Sequence, residues 1–337
     1  MAVNVRDVAR KAGVSVGTVS NVLNSPDKVA AKTVEKVQAA IDKLGFIRND
    51  AARQLRAGKS RSIGLIVPDV RNPFFTDLAR GAEDAAEQHN MSILLANSDE
   101  AAERELALLG LFEEQRVHGV LVTPVNEDLE QFKKARDRGT PIVLVDRKSK
   151  DKSFSSVSVD DVAGGYMAVK HLIDLGRKRI VFAGGPLQIQ QVSDRLKGAK
   201  KAVAESPGVT LEVLECKSLT VLEGREVGAA LSELPKNKRP DAVFAANDLV
   251  AIGIMQFCLN LDGFRIPKDL SLIGYDDIAF ASTALIALTS IRQPTQEIGL
   301  KAVELLMELA GEESTKRVRQ IEFQPELVIR DSTKLVG

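Results

Sequence analysis

The sequence predicts a small all-α headpiece followed by an α/β body made of two lobes, each a doubly wound parallel sheet. Three observations predict it. The first sixty residues carry apolar side chains at helical spacing, and from Ser62 the rhythm changes to short apolar strands alternating with amphipathic helices. The charge divides at the same place: residues 1–60 hold eleven Lys/Arg against five Asp/Glu, a net of +6, whereas the rest holds 35 against 41, a net of −6. A basic head on an acidic body points the head toward a polyanion.

In the head, Val5, Val8, Ala9 and Ala12 fall on one helical face, and Gly13 predicts its C-cap. Ser15 then caps a second helix, Val16 to Asn24, with Val19, Val22 and Leu23 turned inward. A third helix runs from Lys32 to Leu44 with Val34, Val37, Ala40, Ile41 and Leu44 as its apolar stripe, stopping at Gly45. This spacing is what a helix-turn-helix requires. Small Ala9 lets the helices approach, Gly13 supplies the turn, and Val14 and Val19 fill the space between them. Ser15, Thr18 and Ser20 are then left to meet phosphates, with Val16 and Gly17 where base edges are read. Two helices that merely cap a domain produce the same pattern, so spacing alone leaves both readings open.

The body begins with strands at Ile63–Val67, Ser92–Ala96, Gly119–Thr123 and Pro141–Val145, each of the first three followed by an amphipathic helix. A second series has strands near Val157–Val159, Arg179–Ala183, Leu211–Cys216, Asp241–Ala245 and Ser271–Tyr275, and a last strand-like run at Glu326–Ile329. Such alternation predicts parallel sheets covered on both faces, and two runs of it predict two lobes. In α/β lobes a ligand sits beyond the carboxyl ends of the strands. Asn72, Phe74 and Phe75 follow the first strand there, Asp146 and Arg147 the fourth, Asn247 and Asp248 the AVFAA strand, and Asp276 and Asp277 the LIGY strand. Arg195 opens RLKGA, and Gln293 lies in the crossover SIRQP. Carboxylates, guanidinium groups, amides and aromatic faces together suit a small polyhydroxylated ligand. Asn247 and Asp276 are equally readable as helix N-caps, Asp248 and Asp277 as structural groups, and Pro73 as a first-turn proline.

The helix holding Leu106, Leu108, Leu109, Leu111 and Phe112 is apolar over more of its circumference than a surface helix needs, and Leu285 and Ile286 lie in the apolar loop ALIAL. Both are candidate subunit contacts. A nucleotide-binding enzyme would share the strand–helix alternation, but no G-x-G-x-x-G follows a strand and no G-x-x-x-x-G-K-[ST] occurs. His89, His118 and His171 have no metal or triad company, so neither an enzyme nor a metal or cofactor is expected. Cys216 and Cys258 read as buried free thiols in a reducing compartment. The absence of a run of about eighteen apolar residues argues against a membrane span. MAVNVRDVAR carries no secretory pattern, which argues against a transport-type solute-binding protein and for the cytoplasm.

VNVRDVARKAGVSVGTVSNVLN followed by KTVEKVQAAIDKLGFIRNDAARQL closely resembles the headpiece and hinge of the lactose-repressor family of bacterial regulators. NPFF, VDR, RLKGA, AANDLVAIG and LIGYDD stand in the family's order, so the likeness spans nearly the whole chain. It implies a ligand-responsive regulator, in the first place a repressor, that binds a pseudo-palindromic operator as a dimer. The implied divisions are a headpiece at 1–46, a hinge helix and linker at 47–60, an N-terminal lobe at 61–159 with 291–322, and a C-terminal lobe at 160–290 with 323–332. By resemblance Val16, Gly17 and Asn21 hold the principal base-reading positions, with Asn24 at the end of the same helix. Asn49–Ala57 resembles the family's hinge helix, where Arg53 and Arg56 meet phosphates and Leu55 wedges into the minor groove. No heptad tail follows Ile329, so the tetramerising element of the repressor that names the family is not expected, and a dimer is.

The body also resembles periplasmic sugar-binding proteins, whose two lobes close on a ligand. Asn72, Phe74, Phe75, Asp146, Arg147, Arg195, Asn247, Asp276 and Gln293 match positions that hold the sugar in the periplasmic ribose receptor, which implies a sugar or nucleoside effector with ribose favoured. Thr123 stands where that receptor has an amide, and Ser218-Leu219-Thr220 lacks its covering aromatic. Purine-base regulators are less similar, because Ile189 stands where such a repressor carries Arg. Asp276 is expected to repel a phosphate, with Arg147 and Arg195 able to compensate.

Overall fold

The computed structural model describes residues 3–46, 60–261, 264–311 and 318–334, which fall into two units divided after Ser60.

In the first unit, α1 (Val5–Ala12), α2 (Val16–Asn24) and α3 (Ala31–Leu44) close on Val8, Ala9, Val19, Val22, Val37 and Ala40. Asn4 starts α1 with a capping box. Its side chain accepts from Arg6 and Asp7, and Asp7 accepts from the Asn4 N–H at 3.0 Å. Gly13 ends α1 at φ +67, a conformation that would strain a residue bearing a Cβ, and Val14 N–H bonds back to the Ala9 carbonyl at 3.0 Å. α3 begins at Ala31, one residue before the sequence-predicted start.

In the second unit, one six-stranded sheet contains β1 (Ser62–Val67), β2 (Ser92–Asn97), β3 (Gly119–Val122), β4 (Ile142–Val145), β5 (Ser155–Val159) and β11 (Gln320–Phe323). Their order is β2-β1-β3-β4-β5-β11 and every pair is parallel. The second sheet holds β6 (Arg179–Ala183), β7 (Thr210–Leu214), β8 (Ala242–Ala245), β9 (Ser271–Asp276), β10 (Thr289–Arg292) and β12 (Glu326–Val328), in the order β7-β6-β8-β9-β10-β12. Only β12 runs antiparallel within it.

The side-chain period of two assigns each strand residue to a face. Ile63, Leu65 and Val67 meet α4 (Pro73–Gln88) and α12 (Thr295–Ala310), while Ile66 meets α5 (Ala102–Glu114) and α6 (Glu130–Asp137) on the other side. In the second sheet Val181, Ala183, Val243 and Leu272 face α9 (Val221–Glu233) and α10 (Asp248–Cys258), with Ala281 of the short α11 (Ala279–Thr283) in the same cluster. Ile180, Phe182, Phe244 and Ile273 face α7 (Asp161–Asp174) and α8 (Gln190–Ala204). The last two helices cross backbone to backbone: a Cβ on Gly165 would lie 2.0 Å from the Arg195 carbonyl oxygen, and one on Gly198 2.0 Å from that of Val162.

The chain passes between lobes after β5, after β10 and after β11. β10 carries Ile291 and Arg292 in the second sheet, and Phe323 pairs with Val159 in the first, so these crossings fall one or two residues later than the sequence-based divisions. Cys216 and Cys258 are buried free thiols, pushed up to about 11 by burial. Among the described residues no helix is long and apolar enough to cross a membrane.

Candidate functional site

On the helix pair, Ser15 caps α2 by accepting from Thr18 N–H at 3.0 Å, and the two hydroxyls bond at 2.9 Å. Val16 is 43% exposed, with Gly17 and Asn21 also facing solvent, so the start of α2 presents uncapped backbone N–H groups and a small apolar surface outward. Ser20 is half-buried. Asn24 turns its amide back onto the Ser20 carbonyl at 2.8 Å and the Ser20 hydroxyl at 3.2 Å. Arg53, Leu55 and Arg56 lie outside the described residues.

A cavity of about 230 Å³ opens between the two lobes of the body. Asn72, Phe74, Phe75, Thr123, Asp146, Arg195, Asn247 and Asp276 line it, brought together from the carboxyl ends of strands in both sheets and from α8. Each is fixed by its element. Asn72 caps α4, accepting from Phe74 N–H at 3.1 Å, and thereby sets Phe74 and Phe75 edge to face at 5.0 Å. Asn247 caps α10 through Val250 N–H at 2.9 Å while its amide donates to the Leu219 carbonyl at 3.1 Å, so it caps a helix and faces the cavity at once. Asp146 and Asp276 take positive φ, +56 and +101, where their strands end, and these uncommon conformations for non-glycine residues aim both carboxylates inward.

The electrostatics centre on Arg195. Its Nε donates to Asp161 at 2.8 Å and one terminal nitrogen to the Ala246 carbonyl at 2.8 Å. The other lies 3.8 Å from Asp276, and the guanidinium sits 3.7 Å above the Tyr275 ring. Burial opposes the charge, but Asp161 and Asp276 outweigh it and hold Arg195 protonated. Asp276 accepts from Gln293 at 2.8 Å and Asn72 at 3.4 Å, yet burial pushes its carboxyl up to about 6 against the pull of Arg195. Asp146 is pushed well above the usual carboxylate range, first by burial and then by the nearby Asp161. Its Oδ2 accepts from Gln191 at 3.1 Å, whereas its Oδ1 and the Thr123 hydroxyl are buried without a hydrogen-bond partner.

Two residues assigned to the ligand by the sequence do not line the cavity. Arg147 turns to the far side of the loop after β3, where it bonds the Pro124 and Asn126 carbonyls at 3.0 and 2.6 Å and Gln190 of the other lobe at 2.9 Å. Asp146 faces the cavity, and adjacent side chains at a strand end point to opposite sides, so its successor Arg147 turns away. Gln293 stands behind Asp276 and orients it. Ile189 and Leu219, which the resemblance placed beside the ligand, line the cavity, and Gln191 and Pro186 line it without having been singled out. Gln191 was findable, since it lies four residues before Arg195 on one helical face. Asp248, fully buried, accepts from Ile278 N–H and the Ser290 hydroxyl, and Asp277 accepts from Arg292 and Arg330; both are structural ties.

Residues 4–49 match the family described as bacterial regulatory proteins, lacI family, and residues 169–333 match the periplasmic binding protein-like domain. The chain is 34% identical to the HTH-type transcriptional repressor PurR of Photobacterium profundum, over 98% of both chains. It belongs to the lacI family. As a lacI-family member it is a ligand-responsive transcriptional regulator that binds DNA, and not an enzyme. Among solved lacI-family structures, the Lac repressor dimer bound to operator and the anti-inducer ONPF superposes with a TM-score of 0.84 at 27% identity, covering 99% of each chain. A lacI-family regulator from Enterococcus faecium with bound ribose gives 0.73 at 28% identity, over 82% of this chain and 100% of that one.

Proposed function

We propose that this regulator represses transcription from the cytoplasm by binding a pseudo-palindromic operator as a dimer. A small sugar-type effector, with ribose or a ribonucleoside favoured, binds between the lobes and changes the grip on DNA. The observation that carries the effector half is the pair of buried oxygens without partners, Asp146 Oδ1 and Thr123 Oγ1, beside the Phe74–Phe75 edge in a cavity both lobes share. Buried polar atoms without partners are rare and costly, and a ligand bearing hydroxyl donors satisfies them. At about 230 Å³ the cavity is smaller than the roughly 300–1,000 Å³ of drug-sized sites, which suits a monosaccharide. The similar ribose-bound regulator supports ribose.

In the DNA half, Ser15, Thr18 and Ser20 lie beside phosphates, and Val16, Gly17 and Asn21 read bases, Val16 through a thymine methyl. Asn24, folded onto Ser20, supports the helix end. Arg53, Leu55 and Arg56 form the minor-groove contact in this reading. Leu106 and Leu111 on α5 are 39% and 43% exposed, and Leu285 is 86% exposed; these unpaired apolar surfaces are the proposed dimer contacts. Calorimetry of the full chain with ribose, uridine and a set of hexoses, followed by gel shifts on genomic fragments with and without the binder, tests the reading. A sugar that binds and alters operator affinity supports it. No heat from any sugar, alongside clear binding of an amino acid, overturns the effector assignment.

A further inference from the structure

We infer that the cavity selects effectors that carry no phosphate or carboxylate group, admitting uncharged or cationic molecules rich in hydroxyl or amino donors. This rests on the reading that the cavity holds the effector, and adds to it the ligand's charge.

The charge balance of the lining carries the inference. Among the described residues four acidic side chains line the cavity, the buried Asp146 and Asp276 and the more exposed Asp69 and Glu100, against one lining base, Arg195, while Arg71 outside the lining pairs with Asp69 at 2.8 Å. That guanidinium bonds Asp161 and the Ala246 carbonyl and stands 3.8 Å from Asp276, so its one positive charge is already shared by two carboxyl groups, although N–H donors remain for a neutral ligand. Arg147, the other cation the sequence places here, is held outside the cavity by Pro124, Asn126 and Gln190. Helix ends give small compensation. α4 begins with Pro73, which has no N–H, and its Phe74 N–H bonds Asn72, while α10 is capped by Asn247. The start of α8 at Gln190 lacks a side-chain cap, worth roughly half a positive charge, and it faces four carboxylates. Of the buried atoms without partners, Thr123 Oγ1 can donate or accept, whereas Asp146 Oδ1 accepts from a ligand donor and, when ionised, repels an anion.

The same groups make binding proton-linked. Around Asp276 stand Arg195 on α8, Asp161 on α7, Asp146 after β4, Asp248 on α10, and Tyr275 and Asp277 beside it. Hydroxyl donors favour the ionised carboxylate, whose proton is held up to about 6 in the unliganded site. Below that pH a proton must leave on binding, so affinity falls as pH drops.

The test uses full-length protein in calorimetry with ribose and ribose 5-phosphate, glucose and glucose 6-phosphate, and uridine and uridine 5′-monophosphate, together with adenine and putrescine. Each phosphorylated member is expected to bind at least tenfold more weakly than its parent, and Asp276→Asn to narrow the gap. Arg147→Gln is expected to leave the ratio unchanged. Affinity for any uncharged sugar that binds should fall up to tenfold per pH unit below about 6. A phosphorylated compound that binds more tightly than its parent overturns the inference and leaves the sugar reading standing. Binding of adenine or putrescine but no sugar removes the sugar reading and supports this one. Should every compound be silent, the unliganded protein decides: Asp146→Asn is expected to raise Tm at pH 8 and to lose that gain by pH 5. Equal Tm for the two proteins at pH 8 overturns the inference.

Discussion

Gly165→Ala is the sharpest test of how the fold holds its binding arginine. The new Cβ would stand 2.0 Å from the carbonyl oxygen of Arg195, a backbone atom that no rotamer change removes. α7 and α8 must then part by about 1 Å, since interiors have no slack to absorb the overlap. Overpacking of this kind costs about 1–3 kcal/mol. The displacement also stretches the 2.8 Å bonds from Arg195 to Asp161 and Ala246 past hydrogen-bonding range, and weakening such charged bonds adds about 1.5–3 kcal/mol. The body should therefore lose about 2.5–6 kcal/mol, a fall in Tm of roughly 5–24 °C for a domain of this size. Thermal and urea denaturation of the full chain measure it, and effector affinity should fall in parallel. Gly311→Ala is the control, because its φ is −69 and the nearest atom to its Cβ lies at 3.6 Å. It should be neutral or stabilise by up to about 1 kcal/mol. Equal stability of Gly165→Ala and wild type would refute the claim that this crossing positions Arg195.

Three further outcomes are expected. Ser15→Ala removes the cap of α2 and should cost about 1 kcal/mol of headpiece stability, seen as an earlier headpiece transition in melting curves and several-fold weaker binding in gel shifts. Glu105, 3% exposed on α5, accepts from Val125 N–H at 2.9 Å, and burial raises its carboxyl from 4.5 to about 7. Because the folded state holds this proton more tightly than the unfolded one, its contribution is full below about 4.5 and is lost as pH rises to about 7. Glu105→Gln, which keeps an acceptor for Val125, should flatten that decline of up to about 3 kcal/mol in urea titrations run from pH 5 to 8. Leu285→Asp places a charge on an 86% exposed apolar site and should shift sedimentation toward monomer; an unchanged dimer would remove this loop from the proposed contact.

The headpiece was legible because its signals are local. Gly13 and Ser15 punctuate helices whose apolar residues already mark the buried face. Alternation revealed most strands of the body for the same reason. β10 and β11, four residues each beside a lobe crossing, were missed: Thr289–Arg292 is buried apart from Arg292 but holds one aliphatic residue, Ile291, and Gln320–Phe323 is half-exposed, so neither has an apolar run to distinguish it from loop. Cavity residues at strand ends were legible from the general position of ligands in α/β lobes. Arg147 was placed in the cavity together with its neighbour Asp146, although adjacent side chains at a strand end point to opposite sides. Pro186 arrives through a loop of the second lobe, where no periodicity guides the eye, whereas Leu219 was reached only through the resemblance.

The three lobe crossings also govern how the protein emerges during synthesis. The first sheet has five of its strands by Val159, but its core also needs Ile298, Ala302 and Leu306 of α12, and its edge needs β11. At the roughly 5–20 residues per second of translation, about 8–30 s separate those strands from α12, an interval in which the whole second lobe is made. The nascent first lobe thus waits with one face uncovered, while the headpiece, whose core lies wholly within residues 5–46, can fold at once. A growing chain of this design has its DNA-reading end finished well before the part that senses the ligand, so control of the finished end is the last thing the ribosome delivers.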